Sequence, residues 1–280
     1  MSLTYNTQWI PPDDFQESLE HLPTMYDLPS EDPEEPGLPD DFHYYQPQLL
    51  RETFCPPNYS PEQIYVATDL NFYYDPQHPT WYKRPDWFAV LGVPKFYQGN
   101  ELRYSYVIWQ EQVVPFLVIE ILSEGTEAED LGQTVRDIKR PPTKWQVYEQ
   151  ILQVPYYLVF SRDPNQLRLF HWQGGRYQVV TLPEGSLWLP ELQLGIGLWY
   201  GIYQGLERQW LRWYDAQHQW IPTLVEQFEQ ERQRAQQESQ RAERESQRAQ
   251  QESQRAQQES QRAERLAAQL RALGIEPQRE

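Results

Sequence analysis

The sequence predicts an α/β domain of the α+β kind, a mixed central sheet flanked by helices, followed by a long helical tail. Three observations carry this. Between residues 60 and 181, short apolar and aromatic runs recur between polar turns containing Pro or Gly, the pattern of strands and hairpins. Lys144 to Gln153 instead spaces its apolar residues at helical intervals. From Arg234 onward a seven-residue repeat takes over.

With 280 residues, 39% of them hydrophobic and 14% aromatic, the chain can bury one substantial core and carry an appendage. No apolar stretch is long enough to span a bilayer, and the first thirty residues hold acids but no Lys or Arg. Neither a membrane span nor a secretory signal is expected. The single cysteine, Cys55, cannot close an internal disulfide, which fits a reducing cytoplasm and a plain packing role. The net charge of −17 is uneven: residues 1–50 hold eleven acids and no Lys or Arg, 51–220 nineteen acids against fourteen bases, and 221–280 eleven against ten. A protein that neutralises phosphates usually carries a basic stripe, and none is visible in the linear sequence, so the charge argues against a nucleic-acid partner.

Residues 1–50 read as an acidic, partly disordered arm, because Pro29 to Asp41 combines charge with low hydrophobicity. His43-Tyr44-Tyr45 and Leu49-Leu50 within it could dock on the domain. A domain over 51–220 follows. Its expected strands are Gln63 to Ala67 leading to Phe72-Tyr73-Tyr74, then Trp87 to Leu91, Tyr104 to Trp109, Phe116 to Leu122 and Tyr156 to Phe160. Thr143 is placed to cap the helix beginning at Lys144. Gln166 to Trp172 and Arg176 to Thr181 form a hairpin around Gly174-Gly175. The segment from Leu192 to Trp220, rich in Trp, closes the domain.

Residues 221–280 form the tail. With Ala235, Ala242, Ala249, Ala256 and Ala263 at heptad position a, position d is filled by Glu238, Glu245, Glu252 and Glu259. Apolar residues flank this seam at Ile221, Leu224, Phe228, Leu266, Leu270 and Leu273. Such a helix, about 80 Å long, either projects into solvent or joins the chain into a homo-oligomer through a coiled coil.

The chemistry centres on Glu120, which lies within Pro115-Phe116-Leu117-Val118-Ile119-Glu120-Ile121-Leu122. A buried ionised carboxylate survives only if paired, protonated or bound to a metal. Alternation sets Phe116, Val118, Glu120 and Leu122 on one face and Leu117, Ile119 and Ile121 on the other. For such an acid alone, a structural ion pair is the competing reading. Asp86 follows Pro85 at the start of an apolar strand, where the plain alternative is a turn acid. Lys144, Val147, Tyr148 and Ile151 share a helical face, which turns the lysine toward the sheet. Its first-turn position should lower its pKa through the helix dipole, and the bland alternative is a snorkelling side chain. Two converging carboxylates suit Mg²⁺ or Mn²⁺, and the lysine can stabilise charge on a phosphodiester or position water. The histidines His21, His43, His78, His171 and His218 lack zinc-ligand spacing. No Walker loop, dinucleotide glycine fingerprint or serine elbow is present.

The ordered set Arg84-Pro85-Asp86, Pro115 to Ser123 with Thr126 and Asp130, Lys144-x-x-x-Tyr148 and Val154 to Phe160 closely resembles the Uma2 family of bacterial proteins over roughly residues 60–200. The resemblance implies the restriction-endonuclease-like fold of the PD-(D/E)XK nuclease superfamily, with Asp86 and Glu120 as metal ligands. The superfamily's lysine usually follows the second acid by two residues. Leu122 stands there in this sequence, and Lys144 matches the helix lysine thought to replace it. Asp130 also matches a family position and is a candidate to touch the metal or orient Lys144; Glu124, Glu127 and Glu129 read as a solvated acidic face. The expectation is Mg²⁺- or Mn²⁺-dependent hydrolysis of DNA or RNA by Asp86, Glu120 and Lys144. The alternative is a catalytically silent binding or regulatory module with an interacting tail.

Overall fold

The computed structural model describes residues 40–123, 127–134, 140–182 and 185–273. It divides into two compact units, one ending at Ile221 and the other starting at Pro222. The sequence reading of residues 1–39 lies outside the described residues, as does that of Glu124 and Thr126.

The first unit is built on a six-stranded sheet in the order β1 (Ile64–Ala67), β4 (Trp87–Leu91), β6 (Leu117–Ile121), β7 (Tyr156–Ser161), β8 (Gln166–Gln173), β9 (Arg176–Val180). Only β6 and β7 run parallel within it, which makes the sheet mixed, as expected. A small sheet joins β2 (Phe72–Tyr73) to β3 (Tyr82–Lys83) and β5 (Tyr106–Val107). The Trp-rich segment supplies β11 (Leu194–Tyr203) and β12 (Leu206–Tyr214), which form a third sheet with β10 (Ser186–Leu189) just ahead of that segment. This mixed α+β architecture, with its long C-terminal helix, is consistent with the restriction-endonuclease-like fold.

The alternation read from β6 sorts its side chains into two cores. Leu117, Ile119 and Ile121 pack with Leu49, Leu50, Trp87, Trp210 and Trp213. Val118 packs on the opposite side with Phe88, Phe72, Tyr106, Tyr148 and Tyr157. With both faces covered, the strand is buried at all five positions, and Glu120 has no route to water through its own strand.

Helix α1 (Asp41–Thr53) belongs to this packing. The Asp40 carboxylate caps it, accepting from the N–H groups of Phe42 at 2.9 Å and His43 at 3.2 Å. Phe42, Leu49 and Leu50 are buried in the first core. Strand β12 is an outer strand of its sheet, and the fully buried Gln46 side chain takes the place of a neighbour. It donates to the Leu211 carbonyl and accepts from the Leu211 N–H, both at 2.8 Å. Gln46→Leu strands both backbone groups in an apolar setting, and urea denaturation should register a loss of about 2–4 kcal/mol. In the neighbouring strand, a Cβ added at Gly195 would lie 1.9 Å from the buried Tyr214 ring. Only glycine fits that close approach.

Three expectations are corrected. Tyr104 to Trp109 is not one strand: β5 contains two residues and gives way to the helical turn α2 (Ile108–Glu111). The helix starting at Lys144 is α-helical only through Gln146, after α3 (Glu127–Asp130), and becomes a π turn over Val147–Ile151; we label the α-helical part α4 (Lys144–Gln146). The extra residue in that turn shifts the phase. Val147 and Tyr148 remain buried, Ile151 rotates out to 45% exposure, and Leu152 goes in instead. Cys55, expected to pack, is exposed.

The second unit contains α5 (Leu224–Ala272), a 49-residue helix without a buried side chain. Thr223 and Glu226 close a capping box at its start, the Thr223 N–H donating to Glu226 Oε2 at 2.7 Å.

Candidate functional site

Antiparallel pairing of β4 with β6 sets Trp87 against Ile119, which brings Asp86, just before β4, to Glu120. The Ile121 N–H donates to Asp86 Oδ2 at 2.5 Å, and the Asp86 N–H points to Glu120 Oε2 at 3.4 Å. Helix α4 is fixed by a capping box between Thr143 and Gln146 and starts above the same sheet face. From its first turn the Lys144 ammonium donates to Glu120 Oε2 at 3.0 Å. One turn further on, the Tyr148 hydroxyl donates to Glu120 Oε1 at 2.9 Å. Asp86, Glu120 and Lys144 therefore converge. The position held by Leu122 is bypassed, because a side chain from α4 reaches the same carboxylate.

Asp130 joins this cluster from α3. Its side chain is 2% exposed, and Oδ1 lies 3.3 Å from Lys144 Nζ. That contact is Coulombic: among the described residues, Oδ1 accepts no hydrogen bond. Glu120 and Asp130 thus share one ammonium, and Asp86 feels its charge from further off.

Burial pushes the Glu120 carboxyl well above the usual range; Lys144 pulls it down, while Asp86 and Asp130 push it further up. Asp86 is raised for the same leading reason, with Lys144 and His43 opposing. Burial also works against a charged Lys144, yet Glu120, Asp130 and Asp86 outweigh it, so its pKa lies well above the ordinary value. This corrects the expectation drawn from the helix dipole: three nearby carboxylates exceed a partial charge. The lysine stays charged, and the cost of burial falls on Glu120 and Asp86. Burial and Glu120 keep the Tyr148 hydroxyl protonated, hence a donor.

This donor set suits a hard divalent cation. Asp86 and Glu120 offer only oxygen atoms, the nearby carboxylates outnumber the single lysine, and among the described residues the buried Asp130 Oδ1 accepts no hydrogen bond. Among the described residues, no group of three or more His, Cys, Asp and Glu side chains is arranged to hold a metal ion. Mg²⁺ commonly uses one or two carboxylates and keeps several waters, so Asp86 and Glu120 suffice in number. The groove of about 680 Å³ beside β1, lined by Arg51, Tyr65, Lys95 and Arg103 among others, includes none of the three convergent residues.

Other contributors were missed in the sequence. Glu129 is not a solvated acid: Oε1 accepts from Lys83 Nζ and from the Lys144 N–H, both at 3.2 Å, which ties α3 to the start of α4. His43 Nε2 lies 3.1 Å from the Ile121 carbonyl and Nδ1 lies 2.9 Å from Asp40. Arg162 completes this clamp on Asp40. The only linear signal was Asp40 three residues before His43, a helix-cap spacing.

The clamp has a pH signature. Burial raises the Asp40 pKa, but hydrogen bonding and charge from His43, with Arg162, overcome it and hold the carboxyl at about 2. Its stabilisation is present above the unfolded value of 3.8 and is lost as pH falls toward 2. Burial lowers the His43 pKa, yet Asp40 and Asp86 raise it on balance, so its contribution is present below 6.5 and lost as pH rises through the folded value. The clamp is therefore complete between about pH 4 and 6.5. Asp40→Ala should cost about 1–2 kcal/mol there, less at either side, measured by urea denaturation across pH.

A family model, Uma2, with the description "Putative restriction endonuclease", matches residues 12–206. A comparison with curated proteins finds no match.

Proposed function

The chain belongs to the Uma2 family, and from that premise we propose a divalent-metal-dependent nuclease domain that hydrolyses phosphodiester bonds of DNA or RNA. Asp86 and Glu120 hold Mg²⁺ or Mn²⁺, and Lys144 assists the hydrolytic step. The observation that supports this reading most is Lys144 Nζ lying 3.0 Å from Glu120 Oε2, with Asp86 held beside Glu120 by the β4–β6 pairing.

A bound divalent ion would neutralise phosphoryl charge and lower the pKa of an attacking water. The chain's own residues do the rest. Tyr148 fixes the orientation of Glu120 through Oε1, and the Ile121 N–H fixes Asp86 through Oδ2. Lys144, whose side chain is 21% exposed, offers its ammonium to charge developing on the phosphate. Asp130 positions that ammonium.

One observation favours a second reading. Lys144 already pairs with Glu120 and Asp130, as a purely structural ionic network in a binding or regulatory module would have it, and the chain is acidic. Incubation of purified protein with Mg²⁺ or Mn²⁺ and single-stranded DNA, duplex DNA or RNA separates the two. The nuclease reading expects cleavage that Glu120→Ala abolishes; absence of cleavage on all three substrates selects the module.

Among the described residues no helix is long and apolar enough to cross a membrane. We place the protein in the cytoplasm, with α5 as a surface for self-association.

A further inference from the structure

We infer that α5 pairs antiparallel with α5 of a second copy, so that Leu224 meets the partner's Leu270 and Phe228 meets the partner's Leu266. This rests on the self-association proposed above and specifies its direction and register.

The helix exposes apolar side chains at both ends: Leu224 is 74% exposed, Phe228 67%, Leu266 51% and Leu273 75%. Leu224 and Leu266 are separated by six whole heptads, as are Phe228 and Leu270. In a straight α-helix a seven-residue repeat drifts by about 20° per heptad, so the two apolar ends would face about 120° apart. A left-handed supercoil removes the drift and puts both ends on one seam. Such a supercoil needs a partner helix to wind around.

The middle of the seam identifies that partner and its direction. Its positions alternate between the alanines from Ala235 to Ala263 and the glutamates from Glu231 to Glu259. A parallel copy in register would set each of those glutamates against itself, layer after layer. An antiparallel copy with Leu224 opposite Leu270 sets Ala against Glu in every central layer, from Glu231 with Ala263 to Glu245 with Ala249. Each seam alanine is directly preceded by an arginine, Arg234 through Arg262, so a cation flanks every layer that receives a glutamate. The register is also restricted. Moving the partner by one heptad sets Leu224 against Ala263 or Leu266 against Ala235, which uncovers an apolar end. The surviving arrangement has a twofold axis beside Gln247 and is self-complementary, the requirement for an isologous dimer.

The test uses the full chain with Cys55→Ser and one nitroxide-labelled cysteine in place of Gln233, Gln247 or Gln261, all on the outer face of the heptad. Pulsed electron spin resonance should find the labels closest at Gln247. At Gln233 and Gln261 the axial offset should be about 42 Å, from a rise of 1.5 Å per residue. Three equal short distances would establish a parallel pair and overturn the inference. A monomer in sedimentation at the same concentrations would overturn self-association itself. As a second readout, Leu224→Lys and Leu270→Glu should each weaken dimerisation about tenfold and should recover it when combined, since the two positions meet only in this register. Failure of the combination to recover, with helicity by circular dichroism unchanged, contradicts it.

Discussion

Glu120→Gln is expected to abolish metal-dependent phosphodiester cleavage, by more than about a hundredfold, while the domain stays folded. The substitution keeps the shape of the side chain and leaves a carbonyl oxygen to accept from Tyr148 or Lys144. It removes the charge that balances a divalent ion. The stability consequence has an unusual sign. Burial raises the Glu120 carboxyl well above 4.5, so its contribution is present below that unfolded value and is lost as pH rises through the folded one. Without metal, ionised Glu120 is a burden at neutral pH. Glu120→Gln should therefore remove a component of the acid-side stabilisation and should not lower the midpoint of thermal unfolding at neutral pH. The wild type should gain in midpoint on addition of Mn²⁺ and the variant should not.

Lys144→Met should produce the largest loss of stability of any single change at the site, about 3–5 kcal/mol in urea denaturation. It leaves Glu120 and Asp130 without their shared cation and Asp86 without a nearby positive charge, and the Lys144 side chain is buried enough, at 21% exposure, for solvent to do little of that work. Combining it with Glu120→Gln should return part of the loss, because the double variant retains fewer unpaired charges; a coupling energy of about 0.5–3 kcal/mol is the expected range for contacting residues. In catalysis the prediction differs from that for Glu120. Lys144→Met should abolish cleavage and keep Mn²⁺ binding, since the ligands remain and a competing cation has gone. A purely structural network would lose stability in both variants and bind no metal in either.

The core of this site is visible in the sequence because its residues violate local patterns. A carboxylate within an apolar strand and a lysine on the apolar face of a helix both ask for a partner, and strand pairing plus helix capping bring them together. Asp130 was a candidate only through its match to a family position. What escaped reading depends on long-range contacts. Helix α1 lies in a stretch read as an arm, of which only the docking of residues such as Leu49 and Leu50 was legible; Gln46 against Leu211, 165 residues away, was not. Lys83 and Glu129, 46 residues apart, are each ordinary surface types until folding places them 3.2 Å from one another. The misplacement of Ile151 has a local cause, since a π turn changes the helical phase by one residue and periodicity assumes that none is inserted. In the tail, the heptad phase is explicit in the sequence, whereas the absence of any buried side chain along α5 required the structure.

Calorimetric titration of Mn²⁺ into the wild type, Asp86→Asn and Glu120→Gln tests the central claim most directly, because it asks whether the two carboxylates hold a metal before any question of substrate. Saturable binding by the wild type that both variants lose is the predicted result. An absence of binding by the wild type, or equal binding by all three, would contradict it and leave Lys144 with its carboxylates as a structural ion cluster.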